Sequence, residues 1–213
     1  MKNLLSSPSP FLIAAAAIVF PAQSLFAENW TEFRGPGGQG HSAATNLPTE
    51  WSKRNNVKWE IEVPGTGWSS PVVVDGKIYL TSAVEERRAL SLRTMAFDAD
   101  SGKSLWDTEV FNIEKPTKIH SKNSHASPTP LFEDGKVYVH FGHDGTACVD
   151  ATSGEVVWKR QSVYSSPVHG NGGSPIVVGD KLIFSCDAAK EAFIIALDKQ
   201  SGEIAWKTPR GVE

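Results

Sequence analysis

The residues best suited to chemistry are histidines that cluster in one stretch of the sequence. Five of the six histidines lie between positions 120 and 169, and Asp144 directly follows His143. Imidazole and carboxylate groups together can bind a transition metal or transfer protons. We therefore select four candidate catalytic residues, namely His120, His125, His143 and Asp144. We favour the interpretation in which these side chains cap turns and fill polar gaps, because their spacing on irregular or extended backbone is not diagnostic of a site.

Two other features suggest chemistry at first sight but favour a structural interpretation. The cysteines, Cys148 and Cys186, lack the spacing of metal ligands, so we expect two buried thiols, with a long-range disulfide as the alternative. Residues 170–173 (GNGG) are rich in glycine, but neither a Lys-Ser/Thr pair nor a helical pattern follows them, as a phosphate-binding loop requires. We interpret this run as a flexible approach to a strand.

Composition and charge narrow the class of protein. The 213 residues are 40% hydrophobic and 21% charged, which is typical of a folded chain. The formal net charge of -3 provides no basic field, so we expect no nucleic-acid partner. Residues 1–27 combine Lys2 with an apolar run of ten residues from Phe11, a pattern typical of a secretory signal peptide; an uncleaved anchor is the alternative. We predict a periplasmic or extracellular mature chain without a membrane span.

The elements that must position the candidate residues come from an internal repeat. Three segments share a closing pattern in which an aspartate precedes a glycine by four residues and a tryptophan follows that glycine by four. The aspartates are Asp98, Asp150 and Asp198, the glycines are Gly102, Gly154 and Gly202, and the tryptophans are Trp106, Trp158 and Trp206. A fourth tryptophan, Trp59, is predicted to close an orphan strand.

Each repeat is predicted to form four short antiparallel strands. Apolar segments flank tight turns such as Asp75-Gly76, which is a strong hairpin signal. Four-stranded units that recur at about 50 residues indicate the blades of a β-propeller. We predict an all-β fold, a partial β-propeller of three blades plus one orphan strand, in which the tryptophans pack between blades. The predicted domains are a signal peptide (1–27), a leader (28–68) and a propeller region (69–213) with blades at about 69–110, 126–162 and 173–208.

The closing pattern, small-x-Asp-x-x-Ser-Gly-x-x-x-Trp, resembles the tryptophan-docking repeat of the pyrroloquinoline quinone (PQQ)-like β-propeller family. The resemblance covers about residues 29–208. The segment NWTEFRGPGGQGHS is similar to the leader of secreted members from planctomycete-type bacteria. WD40 repeats are disfavoured because Asp107 follows only one of the repeat tryptophans, and the double glycine of Kelch repeats is absent.

The resemblance carries implications for a cofactor. In the quinoprotein dehydrogenase branch, PQQ lies between a tryptophan and a disulfide of adjacent cysteines, Glu and Asn oxygens bind Ca²⁺, and an aspartate is the general base. Cys148 and Cys186 are not adjacent, and no Ca²⁺ ligands are matched. We therefore assign no cofactor, and PQQ with Ca²⁺ belongs only to the alternative function.

Three functions remain open from the sequence. The first is a secreted or periplasmic PQQ-like propeller that acts as an interaction or ligand-binding scaffold for a protein partner or small ligand. The alternative is the N-terminal half of a quinoprotein alcohol dehydrogenase-like oxidoreductase, so whether the chain is an enzyme stays open. A third is a hydrolytic or metal enzyme built on the histidines.

The number of blades raises a further expectation. Closed propellers have about four to eight blades, whereas three complete repeats are present. We expect an N-terminal fragment of a longer protein, with self-association of two half-rings through open blade edges as the alternative.

Overall fold

The computed structural model describes residues 28–161, 163–165, 167, 169–188 and 191–211, so the predicted signal peptide lies outside the described residues. These residues form three four-stranded antiparallel sheets in which strand order follows the sequence. The strands of blade one are β1 (Val72–Val74), β2 (Lys77–Glu86), β3 (Ala89–Asp98) and β4 (Ser104–Ile113). Those of blade two are β5 (Leu131–Glu133), β6 (Lys136–His140), β7 (Thr146–Asp150) and β8 (Val156–Arg160). Those of blade three are β9 (Ile176–Val178), β10 (Lys181–Ala188), β11 (Glu191–Asp198) and β12 (Ile204–Pro209).

The fold is all-β, as predicted, and its helical content is minimal. Among the described residues, only two short 3-10 turns, Pro36–Gly38 and Gly142–Asp144, are helical. No helix in the described part of the chain has the length and apolar character needed to cross a membrane.

Tight turns join the first two strands of each blade. In blade one, Asp75 and Gly76 have φ values of 47° and 73°, the double positive φ of a type I′ turn. Asp134 and Gly135 of blade two repeat this geometry with φ values of 48° and 72°. In blade three the order of residues is reversed, and Gly179 takes the positive φ (62°) at the first turn position. These turns fix the register of each hairpin.

The conserved spacing of aspartate and glycine within each repeat builds a second turn, between the third and fourth strands. The Oδ1 atom of Asp98 accepts hydrogen bonds from the backbone N–H of Ser101 (2.8 Å) and from its hydroxyl (2.6 Å). Gly102 then adopts a φ of 71°, which a residue with a Cβ reaches only with strain. The turns at Asp150 and Asp198 make corresponding backbone bonds.

Each of these turns receives a tryptophan from an earlier part of the chain, which for blades two and three is the preceding blade. The indole of Trp106 lies over Gly154, and its Nε1–H donates to the carbonyl of Ala151 at 3.1 Å. Trp158 lies over Gly202 in the same way and donates to Lys199 at 3.0 Å. A Cβ atom at any of the three turn glycines would fall within 2.5–2.7 Å of an indole carbon. The spacing in the sequence therefore encodes contacts between blades.

The segment around Trp59 differs from the prediction. Trp59 lies over Gly102 and donates to the carbonyl of Ala99 at 3.0 Å, as its counterparts do. Residues 57–63, however, belong to no sheet of the described chain, so the predicted orphan strand is not formed. The reason is that no strand of the described chain pairs with this segment to provide ladder hydrogen bonds, so side-chain contacts of Trp59, Lys58 and Ile61 hold it.

Two apolar clusters join the three blades face to face. The first contains Leu92 and Phe111 of blade one with Val139 and Val149 of blade two. The second contains Tyr138 of blade two with side chains of blade three, including Leu182, Phe184 and Ile195. Burial of such side chains contributes about 1.5–3 kcal/mol each. The faces of blade two are therefore covered on both sides, as propeller geometry requires.

The strand connections divide the molecule into two ends. The turns that receive tryptophans and the tight first turns lie at one end, which we call the docking end. The turns between the second and third strands, and the loops that connect successive blades, lie at the opposite end, which we call the loop end. All candidate catalytic residues lie in loop-end segments.

The leader crosses from one blade to the next. Trp30 exchanges two backbone hydrogen bonds with Val73 of β1, at 2.7 and 3.0 Å. The adjacent carbonyl of Thr31 accepts from the N–H of Phe132 in β5 at 2.8 Å. The leader therefore ties together the first strands of blades one and two.

The substitution Gly154→Ala is expected to destabilise the protein by about 3 kcal/mol, because it combines left-handed backbone strain with a clash against Trp106. Gly179→Ala is the matched control, since Gly179 also has a positive φ but nothing lies within 4 Å of the added Cβ. We expect a loss of only about 1 kcal/mol for the control. Denaturant unfolding measures both values, and equal losses would contradict a specific role for the docking contact.

Candidate functional site

The structure brings three of the four candidate residues together at the loop end. His125 lies in the loop that connects blades one and two, and His143 and Asp144 lie in the 3-10 turn of blade two. The Nδ1 atom of His125 is 3.2 Å from Oδ2 of Asp144, and Nε2 of His143 is 3.3 Å from Oδ1. The side chain of Asp144 is only 6% exposed. A buried carboxylate thus links two imidazoles.

The fourth candidate, His120, does not join this group. Its ring packs edge-to-face against that of His169, with centroids 5.4 Å apart. Its Nδ1 accepts the backbone N–H of Lys122 at 3.1 Å. His120 therefore closes a local turn, which is the structural role that the sequence left open.

The turn that carries His143 and Asp144 depends on a close approach of another loop. Gly142 has a φ of 64°, and a Cβ there would lie 1.6 Å from the side chain of Asn171. Asn171 donates from Nδ2 towards Nδ1 of His143 (3.1 Å), and its Oδ1 accepts from the hydroxyl of Tyr164 (2.6 Å). The glycine allows the loop before blade three to support the histidine directly.

These contacts assign the proton positions on both imidazoles. An amide NH₂ group can only donate, so Nδ1 of His143 is the acceptor and the proton lies on Nε2, which is 2.8 Å from the hydroxyl oxygen of Thr117 and 3.3 Å from Oδ1 of Asp144. Burial lowers the pKa of His143, an effect that Asp144 partly opposes. In His125, Nδ1–H faces the carboxylate, which leaves Nε2 as the free nitrogen.

A second amide fastens the connecting loop. Asn123 donates from Nδ2 to the carbonyls of His169 (2.8 Å) and Asn171 (3.1 Å). Its Oδ1 accepts from the hydroxyl of Ser127 at 2.6 Å. The loops that precede blades two and three are thereby held side by side.

A cavity of about 530 Å³ opens beside the histidines. It lies between the turn that joins β2 and β3 and the connecting loop of residues 114–130. Its lining includes His120, His125, Asn123 and Ser121. The side chain of His125, which is 13% exposed, therefore forms part of a concave surface backed by Asp144.

His140 lies behind this group and belongs to the core. Its ring is fully enclosed, with its centroid 4.2 Å from that of Phe184, and Nδ1 lies 2.8 Å from the hydroxyl oxygen of Thr146. Burial lowers the pKa of His140 to about 3. This residue is neutral at physiological pH and fills a polar gap between β6 and β7.

The described residues contain no group of three or more His, Cys, Asp or Glu side chains arranged to hold a metal ion. The carboxylate of Asp144 lies between the two rings: it is hydrogen-bonded to Nδ1 of His125 and lies 3.3 Å from Nε2 of His143, which is hydrogen-bonded to Thr117. The arrangement is suited to hydrogen bonding and proton transfer at His125 rather than to enclosing a cation.

Comparison with known proteins identifies the repeats. A family model described as outer membrane protein assembly factor BamB matches residues 93–212, more than half of the chain. This chain belongs to the PQQ-like β-propeller family. The membership agrees with three four-stranded blades joined by tryptophan contacts.

Curated relatives of this PQQ-like propeller are quinone-dependent enzymes. It is 29% identical over 158 residues to quinohemoprotein alcohol dehydrogenase ADH IIB of Pseudomonas putida, which covers 71% of this chain and 21% of that protein. It is 24% identical over 222 residues to 1-butanol dehydrogenase (quinone) of Thauera butanivorans, with 92% and 34% covered. The chain thus spans about a fifth to a third of the length of these relatives.

A solved structure supports the fold. Quinohemoprotein alcohol dehydrogenase ADHIIG from Pseudomonas putida superposes with a TM-score of 0.61 at 20% identity, covering 85% of this chain and 26% of that one. At this identity the similarity establishes the fold alone.

The described residues do not fit the quinone sandwich that the family resemblance implies. Cys148 and Cys186 are free, buried and on different blades, so they form no adjacent pair. Three tryptophans, Trp59, Trp106 and Trp158, have their indole faces on turn glycines. Both thiols and these three indoles are therefore used in packing within and between the blades.

Sequence reasoning missed the supporting residues Asn171 and Tyr164. Asn171 lies in the glycine-rich run that was interpreted as a flexible approach to a strand, yet it holds His143 and bonds Tyr164. A lone asparagine between glycines was the only available signal, and its partner lies 28 residues earlier in the chain.

The buried neutral His140 predicts a loss of stability in acid. Its folded pKa lies below the value of an unfolded histidine, so the unfolded chain binds more protons between about pH 3 and pH 6.5. Stability should fall by about 2 kcal/mol from pH 7 to pH 5. Most of this fall should disappear in the double variant His140→Phe/Thr146→Val, which leaves no unpaired hydroxyl. The exposed His41→Gln variant is the control, and an unchanged pH slope in the double variant would contradict the assignment.

The cysteines are expected to be unreactive in the folded protein. Burial raises the pKa of the Cys148 thiol to about 11 and that of Cys186 to about 12. Iodoacetamide at about pH 8 should label neither thiol in the native state and both in denaturant without reductant. An exposed Ser104→Cys variant provides the reactive control. Failure of either cysteine to react in denaturant would indicate a disulfide instead.

Proposed function

We propose that this protein is an exported PQQ-like propeller that acts as a ligand-binding or interaction scaffold through its loop end. The observation that carries the proposal is the 530 Å³ cavity, which contains His125 and is backed by the buried Asp144. A concave surface on which a few polar side chains converge is typical of a small-molecule site.

The architecture favours this end over the docking end. At the docking end, turn carbonyls and glycines are occupied by tryptophans of the neighbouring blade. At the loop end, side-chain amides hold the connecting loops together, and an open space remains between the first of these loops and the turn that joins β2 and β3. Loops positioned by a rigid scaffold are where binding residues concentrate.

Export to the periplasm or the extracellular space is part of the proposal. It rests on the pattern of residues 1–27, with a basic start and a ten-residue apolar run too short to span a bilayer.

The blade edges support a further partner: Val178, Ile204 and Trp206 of blade three are 40–59% exposed, which suits a protein partner or self-association.

A second function is favoured by the comparisons. Relatives that align with most of this chain are named as quinone-dependent alcohol dehydrogenases. The alternative is that the chain forms the N-terminal part of such an oxidoreductase, with PQQ and Ca²⁺ as cofactors. The poor fit of Cys148 and Cys186 to a quinone sandwich makes it the second choice.

Titration with PQQ in the presence of Ca²⁺ distinguishes the two functions. The scaffold proposal expects no saturable quenching of tryptophan fluorescence and no dye-linked oxidation of ethanol or 1-butanol by the purified chain. Saturable quinone binding, or dye reduction that depends on PQQ, would overturn the scaffold proposal and favour the dehydrogenase.

A thermal-shift screen of small molecules tests the cavity itself. We expect a stabilising compound whose effect is lost in Ser121→Trp, which fills the cavity, because Ser121 forms part of its lining. Ser104→Trp, at an exposed position at the start of β4, should keep the effect. A compound that stabilises both variants equally would place ligand binding outside the cavity.

A further inference from the structure

We infer that the loop-end cavity binds a small organic polyanion that carries a hydroxyl group. The inference rests on the proposed ligand-binding function and adds the chemical class of the ligand. It follows from two features of the cavity, which are the unpaired cations of its walls and the free nitrogen of His125.

The walls of the cavity carry an excess of positive charge. Arg87 and Arg88 form the two-residue turn between β2 and β3, and Lys118 faces them from the connecting loop. Among the described residues of the lining, Glu85 is the only carboxylate. Three cations therefore surround a space that contains one anion.

These cations are not used in the fold. Within the described residues, no side-chain hydrogen bond or ion pair involves Arg87, Arg88 or Lys118. Cations elsewhere do have partners: Arg93 pairs with Asp107 at 2.8 Å, and Lys136 pairs with Asp150 at 2.7 Å. Unpaired guanidinium and ammonium groups around a concave surface are suited to carboxylate or phosphate groups.

The backbone at the turn supports a role for the arginine side chain. Arg87 has a φ of 57°, a conformation that costs a residue with a Cβ about 1 kcal/mol and that glycine or asparagine adopts more readily. A long charged side chain at such a position is not explained by turn formation alone.

His125 provides directional recognition at the floor. Because Nδ1 of His125 contacts Asp144, Nε2 is the ring nitrogen that remains for a ligand, and it has no partner in the described chain. In the tautomer with the proton on Nδ1, Nε2 offers a lone pair, so the matching group on the ligand is a hydrogen-bond donor, and we take this donor to be a hydroxyl. The combined pattern of cationic walls and an acceptor at the floor specifies a hydroxylated polyanion.

Calorimetric titration of the full chain at low ionic strength tests the charge requirement. The probes are citrate for carboxylates, glycerol 3-phosphate for phosphate esters, and glycerol as the neutral compound. We expect saturable binding of at least one anion and none of glycerol. The triple variant Arg87→Gln/Arg88→Gln/Lys118→Gln should weaken that binding by about tenfold or more.

The matched control removes three cations outside the cavity lining, in Lys53→Gln/Arg54→Gln/Lys103→Gln, and should change affinity by less than about twofold. Equal losses in the two variants would overturn the inference, because they would reflect overall charge. Absence of binding by both anions would also overturn it. If neither anion binds but a neutral compound does, and Ser121→Trp abolishes binding of that compound, the proposed ligand-binding function still stands.

If citrate is the anion that binds, the hydroxyl requirement is tested by comparing its affinity with that of an anion without a hydroxyl. Citrate should bind more tightly than tricarballylate, which has the same three carboxylates but no hydroxyl. His125→Asn should abolish that preference, because the asparagine amide can still donate to Asp144 but lacks an equivalent of Nε2. Glycerol 3-phosphate offers the same test against ethyl phosphate. A preference that persists in His125→Asn would exclude His125 as the hydroxyl acceptor.

Discussion

The contact between an indole ring and the glycine of the next blade is the constraint on which this structure depends. It joins a tryptophan of one repeat to a turn of the following one, through a flat apolar contact and a hydrogen bond from Nε1–H to a carbonyl. The glycine must have a positive φ and no Cβ, and the aspartate must hold the turn that presents it. Each blade is thus fixed to its neighbour by the indole–glycine contact, so the remaining strands need not supply an equivalent contact.

Because the contacts between indole and glycine are confined to the docking end, the two ends of the molecule differ in how much their sequences vary between blades. The docking end repeats the same residues in every blade, because the same contact is made each time. The loop end has no such requirement, and its segments differ in length and composition from blade to blade. Histidines, asparagines and arginines can therefore occupy it without disturbing the contacts between blades.

The sequence was sufficient for the fold because its evidence is local and repeated. Asp98, Gly102 and Trp106 recur at equal spacing in each repeat, and hairpin turns such as Asp75-Gly76 have recognisable chemistry. Trp59 was harder to interpret. Its spacing indicates a docking contact, but a strand has a second requirement, which is a neighbouring strand that pairs with its backbone groups. The spacing of residues in the sequence indicates the docking contact but not the neighbouring strand.

The site could be predicted only in part, because its geometry depends on contacts between loops. Adjacent His143 and Asp144 were visible as a pair, and His125 was selected for its residue type. That Asp144 bridges the two rings, and that His120 turns away, depends on how the connecting loop packs against the turn of blade two. No periodic pattern encodes such a placement.

The leader has a consequence of a different kind. Trp30 and Thr31 bind β1 and β5, and Glu28 closes the leader on Ser42 at 2.7 Å, whereas residues 44–56 are exposed and contribute no strand. The exposed stretch is therefore a tether, and the leader behaves as a peptide ligand of the first two blades that is supplied in cis. The tether determines its effective concentration, while the backbone bonds to both blades determine how tightly it stays in place.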